Sequence, residues 1–159
     1  ENMNEFYVTN RDVIKNLAIN TGTSLSPVFT NLCTASELTL NQDFSTKDWF
    51  VFCDAIQRSI ITGVAMSIEG TIKLDINNKA IEKILGDVHT LISAGTISQF
   101  NNVLAKFDLL TKVNGGVLEY TTYQINTKLT LDSLGGSAED EGSFDITMTI
   151  NGTGEEVSA

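Results

Sequence analysis

Residues 64–76 read VAMSIEGTIKLDI, and this stretch decides the fold class. Every second residue is apolar or glycine, and nearly all residues between them are polar. A period of two places the two sets on opposite faces of a β-strand, one buried and one in water. Gly70 stands in the apolar row, which indicates a bulge or the close approach of another backbone. The apolar row consists of Val64, Met66, Ile68, Gly70, Ile72, Leu74 and Ile76.

The same alternation returns in the last third of the chain. Residues 120–132 and 143–151 both alternate, and a polar, acidic turn at 133–142 separates them. Asn114-Gly115-Gly116 is a strong hairpin signal that joins the first of these runs to a strand at 103–111. A further strand is predicted at 32–40. Several of these strands exceed the usual five or six residues, which favours a sheet that extends past its own core.

Two helices are predicted between the strands. Asn78 offers an N-cap, apolar residues then recur at steps of three and four, and Gly95 follows, which predicts a helix over Lys79–Ala94. Residues 49–56 place Trp, Phe, Cys and Ile at i, i+3, i+4 and i+7, which predicts a short helix. The fold class is therefore mainly β (α+β), an antiparallel β-sandwich or open barrel with one flanking α-helix.

The length of 159 residues suits a single domain. Residues 1–26 are polar and irregular with a weak strand signal near 13–19, so we interpret them as an N-terminal arm. Residues 27–159 then form one β-sandwich domain. No apolar run approaches the roughly 18 residues of a membrane span, so we expect no membrane contact.

The charge balance argues against a nucleic-acid-binding protein. Twenty acidic residues face ten basic ones, a formal charge of −10. Affinity for nucleic acid requires lysine and arginine to neutralise phosphates. A protein of this composition repels DNA instead.

We expect no enzymatic chemistry, no cofactor and no metal. His89 is the single histidine, and its place on the predicted helix makes a catalytic triad implausible. No glycine-rich phosphate loop or calcium loop is present. Cys33 and Cys53 are predicted to be two free, buried thiols. The aromatic residues lie at core-like spacing, which predicts that they pack in the core: Trp49, Phe50, Phe52, Phe100, Phe107, Tyr120, Tyr123 and Phe144.

The end of the chain carries a resemblance. Residues 143–155 read SFDITMTINGTGE, after a long strand and a short acidic turn. Residues 36–75 form a second block, in which a strand, a polar loop, a short helical turn and an alternating strand follow one another. In this order, over roughly residues 27–155, the chain resembles the major tail tube proteins of long-tailed (siphovirus-type) phages.

This resemblance implies a structural virion protein whose hexameric rings stack into a hollow tube that conducts DNA during ejection. It implies long hairpins that join an inter-subunit β-barrel, and assembly in the host bacterial cytoplasm. The implied partners are further copies of the chain, a tape measure protein, a tail terminator and distal tail proteins. The arm and a loop at 42–47 would stack the rings. The inner barrel would contain Thr34–Asn41, Val64–Asp75, Val117–Asp132 and Ser143–Asn151, and the candidate lumen-facing residues are Glu37, Glu69, Asp75, Asp132 and Asp145.

Lys73 and Lys128 interrupt this negative lining. Three alternatives stay open at this stage. The same fold and ring would serve the tube of a contractile injection system or of a type VI secretion system. A carbohydrate-binding β-sandwich and an enzyme that uses paired carboxylates are the others.

Overall fold

The computed structural model describes residues 7–157. Antiparallel strands dominate it, and one long helix flanks them. A 3₁₀ turn at Asn10–Asp12 precedes the first strand. The elements are β1 (Ile14–Asn20), β2 (Phe29–Asn31), β3 (Ala35–Val51), β4 (Asp54–Lys73), α1 (Lys79–Ala94), α2 (Ser98–Asn101), β5 (Val103–Asn114), β6 (Val117–Leu134), β7 (Ser143–Ile150) and β8 (Glu155–Val157).

All strands belong to one antiparallel sheet in the order β2-β1-β5-β6-β7-β4-β3, and β8 pairs with β6 beside this path. The sheet curls around one core, because side chains of β1 and β3 pack into the same cluster although four strands separate them. It stays open and does not close into a barrel. The predicted fold class, mainly β with an open sheet and one flanking helix, is confirmed.

β4 lies between β7 and β3 in the sheet. It pairs with β3 along almost its whole length and with β7 through Ser67–Lys73. Ile68 and Ile72 are 1% and 0% exposed, as the alternation predicts. The predicted burial is wrong at the ends of the row, where Val64, Leu74 and Ile76 are 47%, 38% and 99% exposed. Gly70 lies opposite Leu38, where an added Cβ would stand 2.9 Å from that side chain and 3.0 Å from the carbonyl oxygen of Glu37. The predicted close backbone approach at Gly70 is confirmed.

Helix α1 covers the end of the core nearest to the last residue of β4. Its bounds match the prediction, and Gly95 ends it in the left-handed conformation. Ala80, Ile81 and Ile84 are buried in the core cluster. The distal half of the helix leaves Leu91 and Ile92 exposed. No helix in residues 7–157 is long and apolar enough to cross a membrane.

The predicted short helix over residues 49–56 is wrong. Residues 35–73 form a hairpin of two long strands that turns at Phe52-Cys53. Residues 42–47, predicted as a loop, lie inside β3. Apolar residues at helical spacing also suit a hairpin that carries apolar side chains on both faces, and the register from Phe44↔Val64 to Trp49↔Arg58 shows that the strands pair there.

The prediction that residues 1–26 stand apart from the core is wrong for β1. This strand pairs with β2 and β5, and its Leu17, Ala18 and Ile19 are at most 2% exposed. The weak strand signal near 13–19 corresponds to β1, and polar residues such as Asn16 and Asn20 weaken its alternation. Residues 1–6 lie outside the described residues, and the division into arm and domain stays a prediction.

The predicted burial of the cysteines and of two aromatic residues is also wrong. Cys33 and Cys53 are free, as predicted, but both are exposed. Phe50 is 63% exposed, and Phe52 beside Cys53 is fully exposed at the turn of the β3–β4 hairpin. The hairpin extends past the core, so Phe50 and Phe52 lie outside the core cluster.

We expect Asn78→Ala to destabilise the chain by about 1 kcal/mol. The Asn78 Oδ1 atom accepts hydrogen bonds from the backbone N–H groups of Ala80 (2.8 Å) and Ile81 (3.4 Å), and its Nδ2 donates to the Asn31 carbonyl at 2.9 Å. Chemical denaturation monitored by circular dichroism measures the change. Asn77→Ala is the matched control. The backbone N–H of Asn77 donates to Asp75 Oδ1, and its side chain makes no hydrogen bond among the described residues. Equal stability of the two variants would contradict the capping role.

Candidate functional site

Four neighbouring strands, β6-β7-β4-β3, build a sheet with two chemically different faces. The buried face carries Ile68, Ile72, Phe144, Ile146 and Met148. The opposite face carries carboxylate, hydroxyl and lysine side chains. The four segments that the resemblance assigned to an inner barrel lie on these four strands, apart from one or two residues at the strand ends.

The polar face brings together four of the five candidate lumen residues. Glu37, Glu69, Asp132 and Asp145 line one shallow depression of about 280 Å³, together with Thr39 and Thr71. All four carboxylates are exposed. Cross-strand pairing places them, since Glu37 lies opposite Thr71 and Thr71 lies opposite Asp145.

Asp75 is not part of this surface. β4 ends at Lys73, and the Asp75 Oδ1 atom accepts a hydrogen bond of 3.0 Å from the backbone N–H of Asn77. It belongs to the turn before α1. The alternation of residues 64–76 continues past the strand end, and this continuation made Asp75 look like a strand residue.

Hydroxyl groups hold two of the carboxylates. Thr71 donates to Asp145 Oδ1 at 2.7 Å, and Ser133 donates to Asp145 Oδ2 at 3.0 Å. Thr147 donates to Asp132 Oδ2 at 2.6 Å. The hydrogen bond from Thr71, then that from Ser133, lowers the pKa of Asp145, and the charge of Lys73 adds to the effect. Asp145 therefore stays ionised over the neutral and mildly acidic range.

No ion pair neutralises the four carboxylates within residues 7–157. The described residues also contain no group of three or more His, Cys, Asp or Glu that could hold a metal ion. The face therefore carries four carboxylates that form no ion pair, although the charge of Lys73 acts on Asp145. Lys73 and Lys128 lie on its strands, as the sequence indicated.

Both margins of this four-stranded sheet carry unpaired backbone. β3 is the edge strand of the whole sheet along its 17 residues. On the other margin, β5 pairs with β6 only up to Thr127, so residues 128–134 of β6 pair with β7 alone. The sequence predicted long strands that pair with neighbouring subunits, but it did not identify which edges stay unpaired, because no residue pattern reports which backbone groups lack a partner. Exposed edges of this length are a hazard to a free subunit and usually have a partner.

Comparison with solved structures identifies similar folds. A chain from the tail of the empty gene transfer agent (GTA) particle, computed with helical refinement in C6 symmetry, has a TM-score of 0.60 and 13% identity, over 96% of this chain and 100% of that chain. A chain of the sheath–tube complex of PVC, an extracellular contractile injection system, in its extended state has a TM-score of 0.52 and 10% identity, over 96% and 94%. No protein-family model matches the sequence, and no curated protein matches it significantly.

The chain therefore shares its fold with these chains of a GTA tail and of a contractile-injection sheath–tube complex. The predicted resemblance is confirmed at the level of the fold. The roles of the four carboxylates in a lumen stay a prediction.

We expect Thr71→Val to raise the pKa of Asp145 toward its ordinary value, because the variant removes the largest cause of the lowering. Carboxyl ¹³C NMR titration measures it directly. Thr39→Val is the control, since Thr39 lines the same depression and, among the described residues, makes no side-chain hydrogen bond to Asp145. An unchanged titration in Thr71→Val would contradict the assignment.

The lowered pKa of Asp145 also makes the stability of the fold depend on pH. A carboxyl group with a lowered folded-state pKa contributes stability above its unfolded pKa, and that contribution disappears as the pH falls through the folded pKa. The part of the stability difference between the native chain and Thr71→Val that comes from ionised Asp145 should therefore exist at neutral pH and vanish in strong acid.

Proposed function

We propose that this chain is the subunit of a tail tube, in which six copies form a ring and the rings stack around a channel that conducts DNA. The observation that carries the proposal is the four-stranded sheet β6-β7-β4-β3, which has one polar face and unpaired backbone on both margins. The fold shared with chains of two tail and injection assemblies supports it.

The strand directions permit a ring. Four antiparallel strands leave β3 and β6 running in opposite senses. When β3 of one copy meets residues 128–134 of the next copy, the junction is antiparallel, like every other pair in the sheet. Repetition of this junction pairs both exposed margins, and closure of the ring removes the free edges. The short helix α2 also contacts β6.

The polar face then lines the channel. Glu37, Glu69, Asp132 and Asp145 would repeat around the ring, and exposed hydroxyl groups would fill the space between them. Like charges repel over about 8–10 Å at physiological salt, so DNA phosphates would slide past without binding. The subunit contributes this surface and no catalysis, cofactor or metal.

The tube would belong to a virion tail assembled in the bacterial host. Its ends require other partners, and the family resemblance indicates a tape measure protein inside the tube with a tail terminator and distal tail proteins at its ends. A tube of a contractile injection system is the second candidate, since the PVC chain shares the fold over 94% of its length.

Negative-stain microscopy at high protein concentration, combined with mass measurement in solution, tests the assembly. We expect rings of six copies with a central channel, and tubes built from them. A species that stays monomeric at every concentration, and does not assemble when preformed tail tips are added, would overturn the proposal.

The junction between copies has its own test. We expect Thr39→Cys on β3, combined in turn with Lys128→Cys, Thr130→Cys or Asp132→Cys on β6, to give a disulfide ladder that ends at six copies. Both native cysteines are replaced by serine, and non-reducing gel electrophoresis detects the ladder. Three strand spacings, about 14 Å, separate the two positions within one subunit, so a disulfide inside the subunit cannot form.

Gln124→Cys is the matched control on the same strand. Its backbone lies between β5 and β8, so both sides are occupied within the subunit. A ladder with Gln124→Cys and none with residues 128–132 would show that copies join elsewhere.

A further inference from the structure

Leu134 ends β6 with an apolar side chain that its own subunit leaves half in solvent. The register with β7 places it opposite the buried Phe144, so its side chain lies on the core side of the sheet. It is nevertheless 46% exposed, because β5 pairs with β6 only up to Thr127 and leaves this margin open. A large apolar side chain at an open strand margin gains stability when a neighbouring chain covers it.

A groove of about 600 Å³ lies along the free margin of β3. One wall is β3 itself, over residues 35–39, and the other is the 3₁₀ turn with the start of β1, over residues 10–14. Val13, Ala35 and Leu38 line it and pack against the core cluster. Among the described residues, β3 pairs only with β4 and β1 only with β2 and β5, so no strand separates the two walls.

Lys128 is a cation at the same open margin of β6. It is exposed on the polar face, Thr149 lies opposite it on β7, and it forms no ion pair within residues 7–157. The polar face of β3 carries two exposed carboxylates, Glu37 and Asp43, which also form no ion pair there. Opposite charges that face each other across two strands stabilise the pairing of those strands.

The sheet geometry restricts the register in which β3 of one copy meets β6 of the next. One row of opposite residues crosses the four strands from Ala35 on β3 to Leu134 on β6. Core-side residues must stay on one side, so copies can shift only in steps of two positions, and a closed barrel requires a stagger. Ser36 is the extra residue of a bulge, so the second position after Ala35 is Leu38. A stagger in the other direction would carry Leu134 past the first residue of β3.

The charges select the same stagger. Without a stagger, Lys128 would lie opposite Asn41, because both belong to one row. A stagger of two positions places Lys128 opposite Asp43. A stagger of four would carry Lys128 beyond Asp43 and would move Leu134 opposite Leu40, which does not line the groove. One register therefore satisfies both the apolar side chain and the lysine.

We propose that copies join with a stagger of two residues, in which Leu134 of one copy fills the groove of the next copy opposite Leu38 and Lys128 pairs with Asp43 of that next copy. The inference rests on the proposed ring and names the contacts that fix its register. The two contacts lie on opposite faces of the sheet, so they hold the junction from both sides. The ion pair disfavours the neighbouring registers, in which Lys128 meets no carboxylate directly.

A cysteine series reads the register directly. Thr130→Cys is combined with Thr39→Cys, Asn41→Cys or Asp43→Cys, which correspond to a stagger of zero, two and four, in a chain whose native cysteines are replaced by serine. Under mild oxidation of the assembled protein, we expect a disulfide ladder with Asn41→Cys. These positions are three strands apart within one subunit, about 14 Å, so the link joins two copies.

The same register predicts the result of the Thr39→Cys combinations above. Ser133 lies opposite Thr39, so the adjacent Asp132→Cys should link more readily than Lys128→Cys or Thr130→Cys. A ladder that forms mainly between Thr39→Cys and Thr130→Cys would show a ring without stagger and would overturn the register.

A charge exchange tests the ion pair. Lys128→Gln should raise the lowest protein concentration that gives rings by about twofold to fivefold, and Lys128→Asp should raise it further. Lys128→Asp combined with Asp43→Lys should restore assembly. Glu37→Lys in the same background is the matched control and should not. The effect of Lys128→Gln should vanish in 1 M salt, where charges are screened within about 3 Å.

The apolar contact is tested separately. Leu134→Ser should raise the concentration required for rings by about fivefold, since about half of the side chain loses its cover. Leu134→Met keeps an apolar side chain and should restore assembly. Circular dichroism of the free subunits checks that each variant is folded.

The outcomes separate this register from the proposed function. Rings that form with a ladder only at Thr39→Cys or only at Asp43→Cys would overturn the register and leave the ring intact. Rescue of Lys128→Asp by Glu37→Lys, but not by Asp43→Lys, would overturn the ion pair. Absence of any ladder and any ring would overturn both proposals.

Discussion

The ladders that β4 makes with β3 on one side and β7 on the other determine the rest of the structure. They keep Ile68 and Ile72 on the inner face, opposite Phe144 and Met148 on β7. Full burial of each such side chain stabilises the fold by about 1.5–3 kcal/mol. Because successive residues alternate, the same ladders force Glu69 and Thr71 onto the opposite face. The core and the acidic face are therefore two consequences of one register, and a slip of one residue would exchange them.

The core accounts for only part of the length of the two long hairpins. Ile68 of β4 is buried in the core cluster, whereas Phe44 and Ile61 on the same hairpin are mostly in solvent. Strands of 17 to 20 residues far exceed the usual length, and one subunit cannot cover them. The free subunit is an incomplete structure with unpaired edges, an uncovered groove and an apolar tip. Other copies supply the missing contacts in the proposed tube.

The electrostatic character of the polar face also follows from the absence of neutralising partners in the described residues. Thr71 and Ser133 bond to Asp145 without removing its charge, and they hold the carboxylate in place on the sheet. These neutral hydroxyl groups therefore fix the position of the Asp145 carboxylate and leave its negative charge in place. A face that is ordered, wet and negative suits a surface past which a polyanion moves.

The sequence alone determined the strand alternation of residues 64–73, the bounds of α1 and the two-faced character of the last strands, because burial on one side of an element imposes a local period. It also placed Glu37, Glu69, Asp132 and Asp145 on polar faces. It misassigned residues 49–56 as a helix, since their apolar spacing fits a helix as well as a strand exposed on both faces. It assigned β1 to an arm, because Asn16 and Asn20 weaken its alternation, and it assigned Asp75 to a strand, because the alternation of residues 64–76 continues past the end of β4 at Lys73. Only the tertiary structure decided which strands are neighbours, which edges stay unpaired and where the groove opens, since these depend on contacts between residues far apart in the chain.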